Sequence, residues 1–274
     1  MPALPALLDV RGLTITATLP GREVTLLDDV DLQVRAGEVV GVVGESGSGK
    51  TTLARSVVGL LERNVSVAGG AIDLVGETVA APGLDRTETV RGSSVGMVFQ
   101  DASRSLNPLM RVRRALGEVL KRHVPGIDAR DVAARSADVL RKMRIEDPER
   151  VLDSYPHQLS GGLRQRVAIG LAVVTNPALV IADECTTALD VTTQAEVVTL
   201  FRHLVDELGV GLLFVTHDLM LASDLCDRIA VMYAGRVVED DATDTVLGSP
   251  TEDYTRRLLE AVPHWSEGEP AAHG

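Results

Sequence analysis

A chain of 274 residues with 45% hydrophobic content is long enough to bury a sizeable core, as one large α/β domain or two small ones. Its formal net charge of −12, without a clustered basic face, argues against a nucleic-acid partner, and its two cysteines, Cys185 and Cys226, are too few for a disulfide framework. No apolar stretch approaches the roughly 18 residues of a membrane span, and Met1-Pro2-Ala3-Leu4-Pro5 has no basic segment leading an apolar one, so export or insertion of the chain by itself is not expected.

Residues 7–18 and 24–34 alternate apolar and polar side chains about Pro20-Gly21, which predicts two antiparallel strands. Val39, Val40, Gly41, Val42 and Val43 then form an unbroken apolar run, the pattern of a buried strand. Immediately after it, Gly44, Glu45, Ser46, Gly47, Ser48, Gly49, Lys50 and Thr51 match GxxxxGK[ST], with Thr52 beside them, and residues 51–61 read as the helix that the match opens. Strand, glycine-rich turn and helix in that order aim backbone N–H groups and a helix N-terminus at phosphates. Glycines permit backbone conformations and a closeness that a Cβ would obstruct. Lys50 supplies a point charge for the β- and γ-phosphates, and Thr51 a hydroxyl for Mg²⁺. Such a match arises by chance in about one chain of this length in a hundred, so binding of ATP or GTP is expected.

Short β-prone runs return over 68–79, and 95–99 reads as a strand ending at Gln100. Residues 102–160 change character: helical periodicity over 113–122 and 129–143, separated by Pro125-Gly126, predicts an inserted, mostly helical subdomain. Strands at 179–182, 211–216 and 229–233 then alternate with helices at 163–174, 192–208 and 219–225, which predicts a parallel sheet covered on both sides. There is no internal repeat, and 265–274 reads as a disordered tail after an ATPase domain spanning 1–264.

The strand at 179–182 ends in Asp183-Glu184. Beside a phosphate loop, an acidic pair at the carboxyl end of a neighbouring strand lets one carboxylate hold Mg²⁺ and the next orient a water. Asp183 is the metal candidate and Glu184 the candidate base. His217 and Gln100 follow strands in the same way, so an imidazole can meet the γ-phosphate and an amide oxygen can meet Mg²⁺ or the attacking water. Each is unremarkable alone; their shared placement is what assigns Glu184, His217 and Gln100 to catalysis and Thr51, Gln100 and Asp183 to the metal. In Leu159-Ser160-Gly161-Gly162-Leu163-Arg164-Gln165-Arg166, Ser160 reads as an N-cap and Gly161-Gly162 as exposed donors at a helix start, a second anion site.

That octapeptide, shortly before Asp183-Glu184, resembles the signature motif of the ATP-binding-cassette (ABC) ATPases. The resemblance covers nearly the whole chain: Gln100 matches the family's Q-loop, Ala188-Leu189-Asp190 its D-loop and His217 its switch histidine. It implies a P-loop NTPase (RecA-like) α/β core with an N-terminal antiparallel β subdomain and the helical insert. It also implies that two cassettes pair head to tail, so that Ser160, Gly161, Gly162 and Asp190 of one close over ATP bound to the other. Residues 103–110, the sequence Tyr155-Pro156-His157-Gln158, residues 182–194 and the segment 250–263 are similar to the importer branch for peptides and nickel. The resemblance thus implies an ATP-hydrolysing subunit, with ATP and Mg²⁺, at the cytoplasmic face of the membrane, partnered by transmembrane permease subunits, a second cassette and an extracellular substrate-binding protein. Peptide is the expected cargo and nickel or a metal chelate the alternative. A nonmembrane cassette, a regulatory protein that does not turn ATP over, and an exporter are the weaker rivals.

Two positions depart from the family pattern. The aromatic residue on which the family stacks adenine falls near Ala17, and no aromatic precedes Phe99, so weaker nucleotide affinity is expected. Cys185 stands where the family generally has proline, which predicts a looser turn after Glu184. No cysteine follows Cys226, so no iron–sulfur centre is expected.

Overall fold

A computed structural model describes residues 6–187 and 189–261, so Ala188, the tail at 265–274, the end of the 1–264 domain and the last two residues of the 250–263 segment lie outside the described residues. The chain begins with β1 (Ala6–Leu19) and β2 (Arg22–Arg35), a long antiparallel pair whose inward residues are buried and whose outward ones are not. β3 (Val39–Val43) is buried at every position, as a strand covered on both faces must be, and leads into α1 (Lys50–Val57). β4 (Val65–Leu74) and β5 (Glu77–Ala81) join across Val75 and Gly76, both at positive φ, the geometry of a tight hairpin turn. With β6 (Leu84–Asp85) they complete an antiparallel sheet in the order β2-β1-β4-β5-β6.

α2 (Thr87–Val90) and β7 (Val95–Val98) precede the helical part, which comprises α3 (Ala102–Ser105), α4 (Val112–His123), α5 (Ala129–Lys142), α6 (Pro148–Asp153) and a 3₁₀ turn (Pro156–Gln158) before α7 (Gly161–Val173). α4 and α5 bury one face each, with Leu116, Leu120 and Leu140 fully covered, while their arginines and acids face solvent. Then come β8 (Leu179–Asp183), α8 (Val191–Leu208), β9 (Gly211–Val215), α9 (Leu219–Leu225), β10 (Arg228–Tyr233), β11 (Arg236–Ala242), α10 (Thr243–Gly248) and α11 (Asp253–Glu260).

The second sheet runs β11-β10-β3-β9-β8-β7, parallel throughout except for the β11 edge. Alternation along β3 divides the interior in two: Val39 and Val43 join the core beneath α7, α8 and α9, and Val40 and Val42 join the core shared with α1 and the antiparallel sheet. The parallel sheet is therefore covered on both faces, by helices on one and largely by β structure on the other. Its carboxyl edge gathers the ends of β3, β7, β8 and β9, the place where open α/β sheets hold their ligands.

The structure corrects several boundaries. The first helix stops at Val57, not residue 61: Gly59 at φ 62° lets Leu60 N–H donate to the Arg55 carbonyl (2.9 Å) and Gly59 N–H to that of Ser56 (3.2 Å), a Schellman stop that Gly59 signals in the sequence. β11, α10 and α11 were not predicted. β11 is an edge strand rich in acids, too weakly apolar to register as periodic. The turn after Glu184 is not loose: Thr187 N–H (3.3 Å) and its hydroxyl (3.0 Å) both donate to the Glu184 carbonyl.

Candidate functional site

The loop between β3 and α1 is shaped around an anion. Gly44 sits at φ 150°, where an added Cβ would lie 2.2 Å from the Met232 carbonyl oxygen, and Gly49 at φ 108° is pressed against Leu27 and Met232, so neither tolerates a side chain. Gly47 at φ 82° faces open space and keeps the loop's rim uncovered. The Ser48 hydroxyl is buried without a hydrogen-bond partner, a polar atom awaiting an acceptor or donor. Lys50, only 4% exposed, donates from Nζ to the carbonyls of Gly44 and Glu45, both at 2.8 Å. Burial lowers its pKa, and the neighbouring Glu184 and Asp183 oppose that shift. Ser46 is exposed and Thr52 half-buried, and no side-chain hydrogen bond is recorded for either.

At the end of β8, the Asp183 carboxylate accepts a hydrogen bond from the Thr51 hydroxyl at 3.1 Å. Burial raises the Asp183 pKa, against the lowering influence of Thr51, Arg55 and Lys50. A hydroxyl and a carboxylate side by side are the hard oxygen donors that Mg²⁺ accepts, and no group of three or more His, Cys, Asp or Glu able to hold a metal occurs among the described residues. That set fits Mg²⁺, which prefers one or two protein oxygens together with phosphates and water.

Glu184 adopts φ 46°, a left-handed conformation uncommon for a non-glycine residue, and its N–H donates to the Val215 carbonyl at 2.9 Å. That bond ties the end of β8 to the end of β9. The Gln100 amide donates from Nε2 to Glu184 Oε2 at 3.1 Å, and His217 Nδ1 stands 3.7 Å from Oε1. One carboxylate thus has a neighbour at each oxygen, drawn from the ends of β7 and β9, and the Gln100 amide oxygen is left for other use. Cys185, next along, is 1% exposed and its thiol is pushed up to about 12 by burial, so it packs as a small apolar residue.

The other predicted group lies apart. Ser160 caps α7, its Oγ accepting from Leu163 N–H at 3.3 Å, and Asp190 caps α8, accepting from Thr193 N–H (3.0 Å) and its hydroxyl (2.8 Å). Helix N-terminal amides hold the Asp190 carboxylate below its ordinary pKa. Ser160, Gly161 and Asp190 are exposed, Gly161 has open space where a Cβ would be, and Gly162 approaches Thr193, so the starts of α7 and α8 make one surface. Among the described residues no hydrogen bond joins that surface to the 44–51 loop.

The sequence reading named Tyr254 only within the importer-like 250–263 segment and gave neither it nor Tyr233 a place at the loop. Tyr254, on α11, receives a hydrogen bond from the Glu45 N–H at 3.1 Å and packs against Tyr233, the rings tilted by 36° with centroids 4.3 Å apart. Neither contact has a local sequence signal. Ala17 is 6% exposed, paired in register with Val24 on one side and Val65 on the other.

A model of the family described as ABC transporter matches residues 27–187. A protein of Brucella abortus (strain 2308) named "Putative peptide import ATP-binding protein" is 40% identical over 257 residues, 94% of this chain and 77% of its own length. Among solved structures, a "Dimeric structure of a post-hydrolysis state of the ATP-binding cassette MJ0796 bound to ADP and Pi" is similar with a TM-score of 0.74 and 29% identity, covering 86% of this chain and 98% of that one. The structure of cbiO1 from Clostridium perfringens, "Part of the ABC transporter complex cbiONQ", is similar with a TM-score of 0.75 and 26% identity, covering 89% and 91%.

Proposed function

The chain belongs to the ABC transporter family as an ATP-binding, ATP-hydrolysing cassette, and on that premise we propose that it drives an importer whose cargo is peptide. Among the described residues no helix is long and apolar enough to cross a membrane. The reading, which rests on the family, puts the chain at the cytoplasmic face, against transmembrane permease subunits and a second cassette, with an extracellular substrate-binding protein delivering cargo. Peptide is supported by the name of the Brucella relative and by the importer-like stretches in the sequence.

The observation that carries the reading is the convergence of Lys50, Thr51, Asp183, Gln100, Glu184 and His217 at one sheet edge. In the reaction, the 44–51 loop seats the phosphates, and Lys50, its ammonium anchored on the Gly44 and Glu45 carbonyls, turns its remaining N–H donor to them. Thr51 and Asp183 would hold Mg²⁺, which would supply positive charge against the phosphate oxygens. Glu184, steadied at one oxygen by Gln100 and flanked at the other by His217, orients the attacking water and accepts its proton. Ser160, Gly161 and Gly162 of a second cassette supply amide and hydroxyl donors to the exposed side of the same phosphates, and Asp190 lies beside them. ATP then favours the paired form because only pairing completes its cage, and hydrolysis releases it.

The test is transport itself. With the chain, its permease and its binding protein in vesicles, ATP supplied on the cassette side should drive accumulation of labelled oligopeptides. Accumulation of Ni²⁺ or a chelate instead would replace the cargo, and hydrolysis with no accumulation of either would overturn the importer reading.

A further inference from the structure

The nucleotide loop hangs from the C-terminal third of the chain at two points. Gly235 N–H, in the turn between β10 and β11, donates to the Ser48 carbonyl at 3.0 Å, and the Tyr254 hydroxyl of α11 accepts from the Glu45 N–H at 3.1 Å. The second bond falls on one particular peptide unit. Its carbonyl, that of Gly44, accepts from Lys50 Nζ at 2.8 Å, and its N–H is the one bonded to Tyr254. In a trans peptide these groups point opposite ways, so Lys50 grips the unit from inside the loop and Tyr254 from outside. A cation on the carbonyl polarises the amide and strengthens its N–H as a donor, which couples the two contacts.

Tyr254 is itself firmly placed. It is 7% exposed, its ring packs at a tilt against Tyr233, and burial raises its pKa, which keeps the hydroxyl neutral. The segment leading to α11 is strapped to β11: the Glu239 carboxylate accepts from Thr251 N–H (2.7 Å), the Thr251 hydroxyl (3.0 Å) and Glu252 N–H (3.4 Å). Burial would push that carboxylate up, but these donors hold it below its ordinary pKa, so it stays charged and keeps the strap.

We propose that Tyr254 is a positioning residue of the nucleotide site, acting through the Gly44–Glu45 peptide, so that docking of α11 and binding of a nucleotide's phosphates stabilise one another. The inference rests on the reading that the 44–51 loop binds nucleotide. Coupling of this kind is reciprocal: whatever α11 contributes to affinity, the nucleotide returns as protection of α11.

The experiment uses the full-length chain and MgADP as the probe. Tyr254→Phe keeps the ring on Tyr233 and removes only the hydroxyl. It should leave the nucleotide-free melting temperature unchanged and weaken MgADP about fivefold by titration calorimetry. In the wild type, MgADP should slow amide exchange across 249–261, and Tyr254→Phe should lose that slowing. Glu239→Gln, which loosens the strap without touching the loop, should weaken MgADP in the same direction. Unchanged affinity in Tyr254→Phe, equal protection of 249–261 in both proteins, or a Glu239→Gln chain that exchanges faster yet binds normally would each overturn the proposal. Lys50→Ala separates the two readings: if it abolishes binding while Tyr254→Phe binds MgADP as tightly as the wild type, only this inference fails, and if the wild type itself does not bind, the nucleotide reading fails with it.

Discussion

The sheet edge around the 44–51 loop and the surface at the starts of α7 and α8 both present donors to an anion, yet one is joined internally and the other is not. At the edge, side chains 132 and 84 residues apart in the chain already touch: Thr51 bonds Asp183, and Gln100 bonds Glu184. At the helix starts, Ser160 and Asp190 bond only their own first turns, and Gly161 faces open space. A preassembled half lowers the cost of reaching the reactive geometry, because its groups are ordered by folding and not by substrate. An exposed half with satisfied caps has no such internal purpose, and its natural reading is a surface that meets a ligand held elsewhere.

The largest expected effect breaks the preassembled half. Glu184→Gln should lower steady-state ATP hydrolysis by the intact transporter at least about 100-fold while the chain still binds nucleotide, since the removed group is a proton acceptor and not a phosphate contact. Wild-type turnover in that variant would remove Glu184 from the mechanism.

Asp183→Asn sharpens the comparison by separating stability from function. The Asp183 pKa is raised by burial, so the folded chain holds that proton more tightly than the unfolded one. The sign follows: stability from this group is present at low pH and is lost as pH rises through the raised pKa, so near neutrality the bare carboxylate is a cost. Asp183→Asn should therefore raise the nucleotide-free melting temperature by a few degrees and flatten its pH dependence above the usual carboxylate range, while Mg²⁺-dependent tightening of ATP disappears. A lower melting temperature would contradict this assignment of strain.

The smallest effect concerns the base. An aromatic ring at position 17 should stack on adenine, and base–aromatic stacking contributes about 1–3 kcal/mol, so Ala17→Tyr should tighten ATP binding about fivefold or more. Because Ala17 is 6% exposed, the new side chain must displace what covers that face of β1 to do so. Unchanged affinity would mean that adenine is held another way.

The two halves also differ in how far the sequence discloses them. β3, β8 and β9 are continuous apolar runs that end in the residues proposed to function, so strand, loop and side chain could be placed together. Ser160 was legible as a cap, because a cap is a local device written in a few residues, whereas Asp190 entered only through the family resemblance and its capping of α8 is a finding of the structure. What the sequence left hidden is contact across distance. That Gln100 and His217 both lean on Glu184, or that Tyr254 reaches Glu45 from 209 residues away, depends on strand order, and no spacing encodes it. β11, which buries Glu239 and faces solvent with Asp240 and Asp241, lacked the periodicity that made its neighbours visible.

The central claim is that one nucleotide is enclosed by donors from two cassettes, and ATP turnover by the intact transporter with Ser160→Phe in every copy of this chain tests it most directly. The account predicts at least a tenfold loss of hydrolysis, with ATP affinity of the isolated chain unchanged because its own loop is untouched. Hydrolysis at the wild-type rate in that assembly would contradict it.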